Sequence, residues 1–549
     1  MVELLPAQRD IRIFQRRGPL TQRLLSAKAA AKDPADATLR GAPDSVVDGV
    51  IVICDRDAAA AALQELPFAD LLQRLYRQAA ERGPVDLLST RVTTEAIPLV
   101  VGFVKGTATA FERLSSAAKL WKELAPSAPR NVVFATAGMA SAASDAILEA
   151  LVAAALAASA AMPNLQSKPP RPSALGAITL VHDGAALDLQ RCIAVHRGNH
   201  LARWLTALPP NILHSLSYRR ALKTLAARHG WSFSFLNESA LKRLGAGAFL
   251  AVTRANGHRD AGIVRLSYRA AQRHGSVPRL ALVGKGICFD TGGINLKSHK
   301  SMYQMHEDMQ GSAVAVGTLQ ALSELNAPYD IDCWLAITEN EIGAHAYRPQ
   351  EVVTASNGVT IQVAHSDAEG RMVLADTLAL AAREQPALMI DFATLTGSCV
   401  MALTERYSGV FTNRPDWHSA IHAAGQASGE RVWAFPMDED FDSDLESRIA
   451  DVLQCTPDSK GDHILAARFL NRFVPAAIPW IHLDLSSSNR SGGLAHIPTD
   501  FTGFGVRYTT QLLEKSEMLG GPREGTGKRA MGKRATGKPA TGRSARKRR

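Results

Sequence analysis

The sequence predicts an α/β protein of two unequal domains followed by a basic tail. Three observations predict it. Apolar, β-branched runs alternate with stretches of helical spacing along most of the chain. The 549 residues exceed the size of one ordinary domain. A proline-rich polar segment, 163–172 (PNLQSKPPRP), interrupts the pattern as linkers do. We place a smaller N-terminal α/β domain at 1–186, a larger C-terminal α/β domain at 187–519 and a disordered basic tail at 520–549. The larger domain is expected to carry a mixed central sheet layered by helices.

In chain order, 46–54 (VVDGVIVIC) reads as a buried strand and 58–82 as helical. Residues 97–104 and 132–137 are further strand-like runs. The most apolar stretch, 150–162, is mostly alanine and too short to span a bilayer, so a buried or interfacial helix is expected and no membrane association. Strand 177–182 precedes a long helix, 187–208, stopped by Pro209-Pro210. In the second part, strands are expected at 279–283, 331–337, 388–392 and 480–485, with helices at 311–325 and 372–382 between them. Asn357-Gly358 between two apolar stretches signals a hairpin within 351–364. Ligand sites in such folds lie beyond the carboxyl ends of the strands.

Composition narrows the class. Hydrophobic residues at 46% and charged residues at 21% exclude a wholly disordered chain. Six scattered cysteines with no C-x-x-C pair argue against a disulfide framework and a cysteine-based zinc site. The first 17 residues lack the apolar core of a signal peptide, and a cytoplasmic protein is expected. The net charge of +10 resides entirely in 521–549, which holds eleven basic residues and one acid. Within it 526–545 is a four-fold pentapeptide repeat, TGKRA-MGKRA-TGKPA-TGRSA. Such a segment cannot build a core, and its charge suits weak, non-specific nucleic-acid binding.

Three segments carry polar groups that an ordinary core would not tolerate. The first, 284–297 (GKGICFDTGGINLK), delivers Lys285, Asp290 and Lys297 at the end of a strand. The second is Glu307-Asp308-Met309, ahead of a helix. The third is Asp367-Ala368-Glu369-Gly370-Arg371, where two acids two apart would share one side of an extended segment. Singly, each has an ordinary reading: Asp308 as a helix cap, the lysines as solvated charges, Arg371 as a partner of Glu369. Together, Asp290, Asp308, Asp367 and Glu369 supply four carboxylates, which can crowd only around cations. Oxygen donors suit hard or borderline divalent ions, and two such ions would serve hydrolysis.

VGKGICFDTGGINLK and SDAEGRMVLAD closely resemble the signatures of the leucyl, or cytosol, aminopeptidases. The resemblance extends through LPPN (208–211), LGAGAFLAV (244–252), AYRP (346–349), ATLTG (393–397) and TGFG (502–505), and so covers roughly 187–510. It implies a metal-dependent aminopeptidase that hydrolyses the N-terminal peptide bond of peptides with a two-metal-activated water. It implies five metal ligands: Lys285, Asp290, Asp308, Asp367 and Glu369. Asp290 and Glu369 would bridge the two ions, Mn²⁺ or Zn²⁺, and Lys285 would bind as a neutral amine with a depressed pKa. Lys297 would stabilise the oxyanion, and Arg371 would hold a bicarbonate serving as general base. A homohexamer is also implied. Departures from the family pattern are His365-Ser366 for Asn-Thr, Thr291 for Ser, Gln310 for a small residue and Gln350 for Gly. His365 is expected to be a hydrogen-bonding or core histidine. The alternative reading is a nucleic-acid-binding protein acting through its tail, with or without peptidase activity.

Overall fold

The computed structural model describes residues 3–25, 46–271, 277–458, 460–514 and 517–519. The basic tail expected at 520–549 lies outside the described residues. Strands β1 (Arg12–Arg17), β2 (Gly49–Asp55), β3 (Leu87–Val92), β4 (Ile97–Val104), β5 (Asn131–Ala137) and β6 (Ala177–His182) form one sheet. Their order is β1-β6-β5-β2-β4-β3, and all neighbours run parallel except β3 with β4. Strand β2 shows why: Ile51 and Ile53 face one apolar cluster while Val50, Val52 and Cys54 face another, so both faces of the strand are covered. The helical stretch expected at 58–82 is two helices, Ala59–Gln64 and Ala69–Ala80, broken at Phe68, whose φ is 64°. Helix Ser141–Ser159 is longer than the 150–162 stretch and is apolar enough to cross a bilayer by length and composition. Most of it is buried against β5, β6 and the helices Ala110–Leu124 and Gln190–Thr206, as an interior helix is.

The second sheet has eight strands: β7 (Ser232–Asn237), β8 (Gly262–Tyr268), β9 (Arg279–Asp290), β10 (Asp330–Asn340), β13 (Leu388–Ala393), β14 (Ser408–Thr412), β15 (Val432–Ala434) and β17 (Trp480–Asp484). A small third sheet joins the hairpin β11 (Val352–Thr354) and β12 (Thr360–Gln362) to β16 (Val452–Leu453). The eight-stranded order is β15-β14-β17-β13-β9-β10-β8-β7. The central strands β17, β13, β9 and β10 are mutually parallel, and antiparallel pairs flank them. Leu280 and Leu282 of β9 pack toward helices Gln190–Thr206, Gln310–Glu324 and Val506–Glu514; Ala281 and Val283 pack toward Gly247–Thr253, Glu369–Ala382 and Asp462–Asn471. The period of two thus drives the three-layer build.

Strand β9 is much longer than the 279–283 run, and β10 runs on to Asn340. Both extensions carry polar residues, which apolar patterning does not mark as strand. The carboxyl ends of the four parallel strands therefore bring Asp290, Asn340, Ala393 and Asp484 to one edge of the sheet. Helix Gln310–Glu324 approaches that edge closely, because a Cβ on Gly311 would lie 2.1 Å from the Phe392 carbonyl oxygen.

Candidate metal centre

Lys285 points from the middle of β9's polar half into a buried nest. Its Nζ donates to Asp308 Oδ1 (2.7 Å) and to the Thr394 carbonyl (3.0 Å), and pairs with Glu369 Oε1 at 2.9 Å. Lys297 forms a second nest, 2.8 Å from Asp290 Oδ2 and 2.5 Å from Asp367 Oδ1. Asp290, Asp367 and Glu369 offer carboxylate oxygens all within 4.8 Å of one another. All five residues expected as metal ligands, and Lys297 with them, thus meet in one place.

The local chain explains each position. Asp290 ends β9, and its Oδ1 accepts from Gly292 N and Asn340 Nδ2, both at 2.8 Å. Asp308 caps no helix: the following helix starts at Gln310 without a side-chain cap, and Asp308 Oδ1 instead accepts from Thr394 Oγ1 at 2.9 Å. Asp367 and Glu369 are not in an extended segment. Asp367 sits in a turn and Glu369 opens helix Glu369–Ala382, so the turn and the helix start, rather than strand alternation, turn both acids inward. Gly370 leaves the room this needs, since a Cβ there would meet Lys285 Cε at 2.6 Å and Nζ at 2.7 Å.

The donor set fits divalent cations. Asp308 Oδ2 and Glu369 Oε2 are buried and have no hydrogen-bond partner among the described residues. A buried carboxylate oxygen without a donor is a site for a cation. Electrostatics agree: burial first, and Glu369 and Asp290 next, push the Asp308 carboxyl well above its ordinary value despite Lys285. Burial, Asp290 and Glu369 push Asp367 up to about 7 against the pull of Lys297. The same carboxylates act oppositely on lysine. Burial works against the charge of Lys285, but Asp308, Glu369 and Asp290 outweigh it and hold the amine above its ordinary value. The depressed pKa expected of Lys285 therefore requires cations, whose charge inverts the balance.

Arg371 lies in the first turn of the same helix, 2% exposed. Its Nη2 donates to both oxygens of Asp462 (2.8 and 2.7 Å) and its Nη1 to the Gln454 carbonyl (3.2 Å). Gln454 also fixes the loop ahead of Asp367: its Oε1 accepts from Ala364 N and His365 N, and its Nε2 donates to the Ala368 carbonyl.

A model of the cytosol aminopeptidase family, catalytic domain, matches residues 200–510, more than half of the chain. The chain belongs to the cytosol aminopeptidase family. A probable cytosol aminopeptidase of Synechococcus sp. (strain WH7803) is 37% identical over 350 residues, covering 62% of this chain and 70% of the relative. A mutant tomato leucine aminopeptidase shares the fold, with a TM-score of 0.76 at 24% identity over 93% of this chain and 98% of its own. The bottromycin maturation enzyme BotP, solved in complex with Mn, superposes with a TM-score of 0.73 at 27% identity, over 85% of this chain and 98% of its own.

The departures from the cytosol aminopeptidase pattern have local accounts. His365 Nδ1 accepts from Asp367 N at 3.2 Å, a turn contact. Ser366 ties the two loops of the site together, donating to the Gly292 carbonyl at 2.6 Å and accepting from Asn295 N at 2.8 Å. Thr291 keeps a hydroxyl, which donates to the Asn340 carbonyl at 2.8 Å. Gln350 stands at φ 75°, a left-handed conformation that favours glycine. Gln310 is fully buried, with no partner among the described residues for either amide atom. Sequence reasoning missed Asn340, Thr394, Gln454 and Asp462. Asn340 ends one apolar strand and Thr394 follows another, positions that mark them; Gln454 and Asp462 stand far from the signatures and carry no such mark.

Proposed function

We propose that this chain is a dinuclear metallo-aminopeptidase that removes the N-terminal residue of peptides. The observation that carries the reading is the buried convergence of four carboxylates and two lysines with two carboxylate oxygens unpartnered. Lys285, Asp290, Asp308, Asp367 and Glu369 would hold two divalent ions, Mn²⁺ or Zn²⁺; manganese is the metal of the BotP complex. Bound there, the ions would supply Lewis acidity and a water acidic enough to attack at neutral pH.

The chain's own groups do the rest. Lys297, an ammonium held between Asp290 and Asp367, is placed to donate to the scissile carbonyl oxygen as negative charge develops. Burial opposes its charge, but Asp290, Glu369 and Asp367 hold it above its ordinary value. Thr394 and Asp484 steady the floor of the site. Asp484 Oδ2 accepts from Thr396 Oγ1 at 2.6 Å and thereby fixes the loop whose Thr394 carbonyl receives Lys285. The acidic surroundings favour a substrate with a free α-amine. The family resemblance further suggests a homohexamer, which light scattering at micromolar protein tests.

The deciding experiment is release of free amino acid from dipeptides and aminoacyl p-nitroanilides. Chelation should abolish it, Mn²⁺ or Zn²⁺ should restore it, and N-acetylated substrates should be inert. Full activity in thoroughly demetallated protein would refute the reading.

A further inference from the structure

The environment of Arg371 differs from that expected of a bicarbonate holder. Nη2 of Arg371 is turned to the Asp462 carboxylate, 2.8 and 2.7 Å from its two oxygens. Nη1 is drawn to the Gln454 carbonyl, and Nε is buried without a partner among the described residues. The guanidinium therefore already carries a carboxylate, supplied by the chain itself.

Asp462 is held where it is by more than this pair. It is the first residue of helix Asp462–Asn471, where a negative side chain is favoured by the helix dipole. The next residue, His463, donates its backbone N–H to Ser398 Oγ at 2.9 Å, and its Nδ1 lies 3.1 Å from the same hydroxyl. Ser398 follows the 394–396 loop that receives Lys285 and is pinned by Asp484. The helix start that carries Asp462 is thus fastened to the wall of the metal centre. The side chain of Asp462 is 18% exposed while that of Arg371 is 3% exposed, so the carboxylate is the more solvent-accessible part of the pair.

We propose that Asp462 takes the place of an exogenous bicarbonate on Arg371 and serves as the proton acceptor of the peptidase reaction. In that role its carboxylate takes one proton from the attacking water as the O–C bond forms. It returns that proton to the departing amine nitrogen as the C–N bond breaks, so one water is consumed and no other reactant is needed. Arg371 acts by orienting the carboxylate. The inference rests on the aminopeptidase reading, and its test separates the two.

The test compares wild type, Asp462→Ala and Asp462→Asn, each full length and loaded with Zn²⁺. Alanine opens the seat on Arg371; asparagine fills it without a basic oxygen. The first readout is binding, taken from the line width of ¹³C-bicarbonate titrated with protein. Asp462→Ala should broaden the line, and wild type and Asp462→Asn should not. The second is rate in buffer freed of carbon dioxide. Wild type should not respond to added bicarbonate. Both variants should fall by about 10²–10⁴-fold, the usual range for a lost general base, and bicarbonate should rescue Asp462→Ala alone. Bicarbonate binding or severalfold activation in wild type would overturn the proposal, as would an Asp462→Ala protein that neither binds nor responds to the anion. Were no protein active with any metal, the peptidase reading would fail, while the binding readout would still judge who occupies Arg371.

Discussion

Gly370→Ala tests the metal centre through a single methyl group. A Cβ at this position would lie 2.6 Å from Lys285 Cε and 2.7 Å from Nζ, where ordinary contact begins at 3.4 Å. The lysine end must therefore retreat by roughly 0.8 Å, enough to draw it out of good hydrogen-bond distance of one of its two partners, Asp308 at 2.7 Å or Glu369 at 2.9 Å. Losing one charged hydrogen bond in this buried nest costs about 1.5–3 kcal/mol. Against this, alanine within helix Glu369–Ala382 is favoured over glycine by about 1 kcal/mol. The net loss of about 0.5–2 kcal/mol should leave the variant folded, with a denaturation midpoint somewhat below wild type. Metal affinity should fall separately and by an energy of the same order, because the displaced Lys285 amine is withdrawn from the position in which it would hold an ion. At about 1.4 kcal/mol per decade, Mn²⁺ or Zn²⁺ should bind roughly 10- to 100-fold more weakly. Calorimetric titration of metal into demetallated protein, with a urea curve on the same sample, measures both. Wild-type metal affinity in a folded Gly370→Ala protein would refute the assignment of Lys285 and Glu369 to one site.

Lys297→Ala should lower kcat by about 10²–10³ while metal content stays near that of wild type, since the lysine acts on developing charge; Asp290→Ala should lose metal, and elemental analysis of the two variants separates the roles. Glu430 accepts from Gly505 N at 2.9 Å and Tyr508 N at 2.7 Å, yet burial pushes its carboxyl up to about 7. The folded state thus holds this proton more firmly than the unfolded chain, and stability should fall as pH rises from about 4.5 to 7, then level off. Glu430→Gln, which keeps the acceptor, should flatten that slope, by up to about 3 kcal/mol across the window in urea unfolding. Gln310→Met should stabilise the protein by about 1–3 kcal/mol, because it replaces a buried amide whose atoms lack partners among the described residues; a lower urea midpoint would show the amide to be satisfied. Truncation after Gly520 should leave peptidase activity intact and abolish any DNA affinity that weakens steeply with salt, as electrophoretic shifts at two ionic strengths would reveal.

The sequence by itself determined the fold class, most strands and which residues meet at the candidate metal centre. Each rests on a signal local in the chain: apolar runs for β2, β4, β6 and β13, β-branched in the first three, the Asn357-Gly358 turn for the hairpin, and clustered charges beside glycine at 284–297 and 367–371. Strand β1 was not legible, because its charged sequence RIFQRR becomes a strand only by pairing with β6, far along the chain. The polar halves of β9 and β10 were not legible for the same reason: ladder hydrogen bonds from neighbouring strands hold residues that apolar patterning does not select. Tertiary structure alone decided that Asp367 and Glu369 converge through a turn and a helix start, and that Lys285 sits between Asp308 and Glu369. It also decided the partner of Arg371. Asp462 lies 91 residues away, and nothing local to it announces a role. The packing of its helix start against Ser398 brings that carboxylate to the guanidinium, and such a meeting of surfaces has no periodic or compositional trace in the chain.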